Sequence, residues 1–77
     1  MVALPEQIQL NQQKMMAMRQ RSDAYLQAAK ADLLEDKDPR ANLQMAIEYM
    51  TQSMELDIRV TEDGLNFYKG YYNGDDA

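Results

Sequence analysis

Apolar residues recur along this chain at intervals of three and four in two long runs, and the acidic break Leu33-Leu34-Glu35-Asp36-Lys37-Asp38-Pro39-Arg40 separates them. That spacing is the signature of an amphipathic helix rather than a strand, whose buried positions would alternate. In the first run Ile8, Met15, Met18, Ser22, Tyr25, Ala29 and Leu33 fall on one stripe, and Leu26 widens it toward the C-terminal end. No Gly or Pro interrupts residues 6 to 35, which are rich in the good helix formers Gln, Ala, Met, Leu and Lys. Pro5 suits a first helical turn, and Glu6 complements the positive end of the helix dipole. The spacing therefore predicts a helix over about 5–35. Its first half, where Gln7, Gln9, Gln12 and Gln13 cluster, offers a thin apolar face that would depend on a partner for order.

In the second run Leu43, Ile47, Met50, Met54 and Ile58 repeat at four, three and four residues, with Ala46 beside them. Asp38 is the expected N-cap and Pro39 the first helical residue, which leaves a turn over 36–38 and a second helix over about 39–60. Beyond it Leu65, Phe67, Tyr68 and Tyr72 carry the stripe on past Gly64, at a local cost of about 1 kcal/mol for that glycine. Thr61 could instead cap a new element, but a bend is favoured over a clean stop. Residues 61–73 thus either continue the second helix through a bend or form a short third helix, and the glycine-containing stretch 74–77 is expected to be disordered.

With no period-two alternation, no internal repeat and no hairpin-turn signal, the fold class is all-α: a single domain over 1–77 in which two antiparallel helices form a hairpin. A chain of 77 residues buries only about 60% of the surface its unfolded form exposes. Small domains usually make up the deficit with disulfides, metals or partners. Cysteine and histidine are both absent, so disulfides and most zinc chemistry are excluded and a protein partner is the remaining remedy. Two helices alone leave each apolar stripe half covered, so oligomerisation is expected, most simply as an antiparallel four-helix bundle.

Charge narrows the partner class. The net charge of −5 disfavours nucleic acid, because phosphate neutralisation needs a basic face. It is also unevenly placed: residues 1–34 carry +1 and residues 35–77 carry −6, so one half could attract the other within a chain or between chains. No apolar stretch approaches the roughly 20 residues of a membrane span, and Met1 to Leu4 meets Pro5 without the pattern of a signal peptide. A cytoplasmic protein, or one exported without a cleavable signal, is the expectation.

Candidate chemistry is sparse. Glu35, Asp36 and Asp38 have the acid density of a calcium loop but lack its turn glycine and closing glutamate, so helix exit, capping and solvation explain them better. Asp57, Glu62 and Asp63 have no expected pocket, and Ser22 and Ser53 have no evident base, so neither catalysis nor a cofactor is expected. The methionines are flexible gap fillers that suit both cores and adaptable binding surfaces. Met16 and Met45 fall off the stripes and are expected at a second interface. Phe67, Tyr68, Tyr71 and Tyr72 either finish a small core or anchor a partner.

The order long helix, Asp38-Pro39 turn, then Leu43-Gln44-x-Ala46-Ile47 resembles the small needle and inner-rod subunits of type III secretion systems. The stretch Ser53-Met54-Glu55-Leu56-Asp57-Ile58-Arg59-Val60, followed by Tyr68, is similar to the C-terminal helix of the related flagellar rod subunits. The likeness covers about residues 36–72 and implies a helical hairpin that packs through its C-terminal helix into a larger assembly. Those subunits usually end in an apolar helix, whereas this chain has Gly64, Gly70 and the ending Gly74-Asp75-Asp76-Ala77. Two functions follow as expectations: an assembly subunit of a secretion apparatus, or an acidic helical chaperone, adaptor or inhibitor. In both, Leu43, Ile47, Met50, Met54, Ile58, Tyr68 and Tyr72 form the partner-binding face, with Met16 and Met45 at a second contact.

Overall fold

A computed structural model of the chain describes residues 4–73, with side chains through residue 70. Two helices, α1 (Glu6–Leu34) and α2 (Arg40–Asn73), pack against one another as an antiparallel hairpin. The hairpin is a rod of 62 × 18 × 14 Å. Pro5 precedes α1 in extended conformation, and its carbonyl accepts the Gln9 amide at 3.1 Å. The glutamine-rich first half is helical from Glu6, with Ile8 and Asn11 buried against α2. Residues 61–73 are no separate element: α2 runs unbroken through Gly64 and Gly70. A backbone of i to i−4 hydrogen bonds tolerates isolated glycines where the flanking residues are good formers.

The turn is tighter than the sequence suggests. Lys37 N–H donates to Asp32 carbonyl at 2.7 Å, and Asp36 N–H donates to Leu33 carbonyl at 3.3 Å. This paired closure of the last helical carbonyls is a Schellman motif, which needs a left-handed residue at its centre. Asp36 takes that place with φ 59. An aspartate tolerates the left-handed region better than most residues but still less well than glycine. Asp36→Gly should therefore raise stability by about 0.5–1 kcal/mol, read as a melting temperature several degrees higher. An unchanged or lower melting point would mean that the side chain contributes more than its backbone conformation costs.

At the far side of the turn the helix starts one residue later than the sequence suggests. The Pro39 carbonyl accepts the Leu43 amide at 2.9 Å, and the Asp38 carboxylate accepts the Arg40 amide at 3.0 Å. Asp38 also holds the Arg40 guanidinium at 2.7 Å. These contacts, the side-chain bond first and the amide second, hold the Asp38 carboxyl below its usual range and raise Arg40. Glu35 pairs with Lys37 at 2.8 Å. Two of the three turn acids thus have basic partners, and the third shapes the backbone.

The seam between the helices follows a seven-residue repeat. On α1 the buried positions Ile8, Met15, Ser22 and Ala29 are seven apart, and Asn11, Met18, Tyr25 and Asp32 fall between them. On α2 Ala46, Ser53 and Val60 are seven apart and buried, interleaved by Asn42, Tyr49, Leu56 and Asp63, with Phe67 half-buried beyond. A sustained 3-4 repeat is the pattern of a left-handed two-stranded coiled coil. Small residues punctuate it at mid-rod: Ser22 donates to the Ala46 carbonyl at 2.6 Å and Ser53 donates to the Met15 carbonyl at 3.1 Å. A serine hydroxyl reaches only a short way from its own backbone, so these bonds bring the two helices together closely. Toward the turn Asn42 donates to the Asp32 carboxylate at 2.8 Å, and mid-rod Tyr25 stacks on Tyr49 with centroids 5.7 Å apart. A polar pair and an aromatic pair at fixed levels set the register, because a slip of one layer would separate both.

This seam corrects two expectations. The α1 stripe passes through Asp32, not Leu33, which is 65% exposed. More consequentially, α2 turns Ala46, Ser53 and Val60 toward α1, so the run Leu43, Ile47, Met50, Met54 and Ile58 lies outside the seam. All five residues are exposed.

Candidate interaction site

The outer face of α2 is built by a second periodicity on the same helix. Leu43, Ile47 and Met50 are followed eleven residues later by Met54, Ile58 and Thr61, and Leu65 begins the next unit. Eleven residues close three helical turns at 3.67 per turn, near the natural pitch, so this stripe runs almost straight along the helix. The seam at 3.5 per turn does not. The two faces therefore diverge toward the C-terminus: Leu43 stands beside the seam, and Leu65 points away from it.

The stripe is large and uncharged. Leu43 to Leu65 covers 22 residue steps, roughly 33 Å of helix at 1.5 Å each. Ile47, Met54 and Ile58 each keep more than half of their surface. Thr51 and Thr61 donate their hydroxyls to the carbonyls four residues back, Ile47 and Asp57, both at 2.8 Å. With its hydroxyl satisfied inside the helix, Thr61 can offer its methyl group to a neighbour. Glu48, Glu55 and Glu62, seven apart, form an exposed acidic row on α2 beyond the stripe.

Near Met50 the stripe adjoins α1. Met16, Arg19, Gln20 and Asp23 line a shallow cleft of about 510 Å³ with Met50. Arg19 reaches across to Asp57 at 3.8 Å, with both side chains about half exposed, so the pair adds little stability. On the same side of α1, Leu26 and Leu33 follow Arg19 at seven-residue steps.

The sequence-predicted residues distribute as follows. Leu43, Ile47, Met50, Met54 and Ile58 share the outer face, and Met16 lies across the cleft from Met50. Met45 is half-buried beside the seam and does not line that cleft, so the two methionines expected at one second interface are not brought together. Tyr68 is 57% exposed, whereas Phe67 sits half-buried on the seam side. The side chains of Tyr71 and Tyr72 lie outside the described residues. Leu65 belongs to the face as fully as Leu43, and its eleven-residue spacing from Met54 is the signal that would have found it.

The two serines considered as nucleophiles are engaged in the seam. Both buried serines donate to carbonyls across the seam, and no buried side-chain polar atom among the described residues lacks a partner. Among the described residues no three acids converge as a metal site, and no helix is long and apolar enough to cross a membrane.

Together these features define a two-helix antiparallel coiled coil with an uncovered apolar face. The chain matches no protein family, no curated protein and no solved structure. Its surface is the firmest guide to its role. A monomeric globular protein of 8.9 kDa exposes about 4,800 Å². The chain as a whole, drawn out as a rod, exposes 6073 Å².

Proposed function

We propose that this protein is a small non-enzymatic assembly subunit that associates with other protein through the outer face of α2. The observation that carries the reading is the continuous exposure of Leu43, Ile47, Met50, Met54, Ile58 and Leu65 along one helix. Contiguous apolar patches of this kind mark interaction sites on soluble domains. The resemblance of residues 36–72 to secretion needle and inner-rod subunits supports placing that association in a secretion apparatus. The methionine-lined cleft between Met16 and Met50 favours a second reading, a chaperone or adaptor whose adaptable groove receives a partner helix.

Position-specific cross-linking tests the shared core of both readings. A photoreactive residue at position 47 should capture protein in cells, whereas one at position 55, in the acidic row, should capture little. Equal or absent capture from the two positions would overturn the assignment of the face. The identity of what position 47 captures separates a polymerising subunit from an adaptor.

A further inference from the structure

We infer that the occupant of the α2 face is a second copy of this chain, packed α2 against α2 in antiparallel orientation about a two-fold axis at Met54. The inference rests on the reading of α2 as the association surface and names its partner. Its first support is the symmetry of the stripe. An isologous interface joins one patch to itself, so an antiparallel helix pair needs a stripe that reads alike in both directions. Counting outward from Met54, Met50 and Ile58 lie four residues away, Ile47 and Thr61 seven, and Leu43 and Leu65 eleven. Each position on one copy therefore meets its counterpart at the same level on the other. Leu43 faces Leu65, Met50 faces Ile58, and Met54 faces itself. Ile47 faces Thr61, whose hydroxyl is already bonded to Asp57 within its own helix.

The flanks carry the cost of this pairing: a two-fold axis sets the same flank of both copies side by side, so the exposed row Glu48, Glu55 and Glu62 meets itself, Glu55 beside its counterpart and Glu48 beside Glu62. Packing α2 on the partner's α1 instead would set the stripe against Arg19, Gln20 and Asp23 and strand their polar groups.

Length is the second support: the stripe runs roughly 33 Å along a rod 62 Å long, so two copies can bury it against each other over several turns. The near-straight eleven-residue stripe also lets two α2 helices stay in contact over their length without the supercoil that the inner seam follows.

The chain lacks cysteine, which makes a direct test clean. Met54→Cys places one thiol on the proposed axis, and mild oxidation should link most of the protein into covalent dimers. Gln52→Cys, exposed but off the stripe, should link little. Sedimentation of the unaltered chain should give a finite species of twice 8.9 kDa over a concentration series. A monomer at millimolar concentration, an open series of higher oligomers, or equal linking from positions 52 and 54 would each overturn the two-fold dimer. Where position 47 captures a different protein and the chain sediments as a monomer, the second-copy inference fails while the association surface stands.

Discussion

Replacing Ser53 with leucine opens the hairpin. Ser53 is fully buried, and its hydroxyl donates to the Met15 carbonyl on the opposite helix. Leucine at this point of close approach must either push the helices apart or adopt a strained rotamer, and overpacking of this kind costs about 1–3 kcal/mol. Loss of the buried hydrogen bond adds about 1 kcal/mol. The sum of some 2–4 kcal/mol is a large part of the 5–15 kcal/mol that holds a typical domain together, and this rod has a thin core. A urea titration followed by circular dichroism should show Ser53→Leu largely unfolded or shifted to a much lower midpoint. Ser53→Ala separates the two causes: it keeps the close approach and removes only the hydroxyl, so it should cost about 0.5–1.5 kcal/mol. If leucine were tolerated as well as alanine, the small seam would not be what sets the helix spacing.

That seam also explains how the sequence could yield the elements and mislead about their faces. Helix content was legible from the long stretch free of Gly and Pro, and the turn from Asp38-Pro39, because those signals are local. Which face of α2 meets α1 is not local. The largest apolar residues, Leu43, Ile47, Met50, Met54 and Ile58, attract attention as a core stripe, yet the buried face is Ala46, Ser53 and Val60. The α1 row Ile8, Met15, Ser22 and Ala29 was legible as that helix's stripe, whereas on α2 the small row Ala46, Ser53 and Val60 carries a weak hydrophobic signal although its seven-residue spacing was present to be counted. Small side chains gain by close packing what they lack in apolar area, and only the paired arrangement reveals that gain. The Schellman turn was hidden for a similar reason: Asp36 stands where a glycine would have announced it. The candidate site was legible as a set of partner-facing residues; what the sequence did not show is that the α2 seam is the separate row Ala46, Ser53 and Val60.

An amphipathic helix with two different faces also separates folding from association, and Met54→Glu should expose that separation. Met54 is 56% exposed, so a glutamate there is solvated in the isolated hairpin and leaves its helices intact. At the proposed two-fold axis the same change removes a methionine from each copy and sets two carboxylates against each other. Burying a methionine side chain contributes about 1.5–3 kcal/mol, and like charges in contact add several more. The dimer dissociation constant should therefore rise by at least about 100-fold, which corresponds to about 2.7 kcal/mol. Helical content at low protein concentration should stay the same. Met54→Lys should dissociate the dimer in the same way, because two ammonium groups then meet. An equimolar mixture of the glutamate and lysine variants should restore association, since opposite charges replace like ones at the axis. Sedimentation of each variant and of the mixture gives the reading. Two variants that each dissociate but do not recover on mixing would place Met54 within an interface yet away from its own counterpart, and the α2 antiparallel register would be wrong.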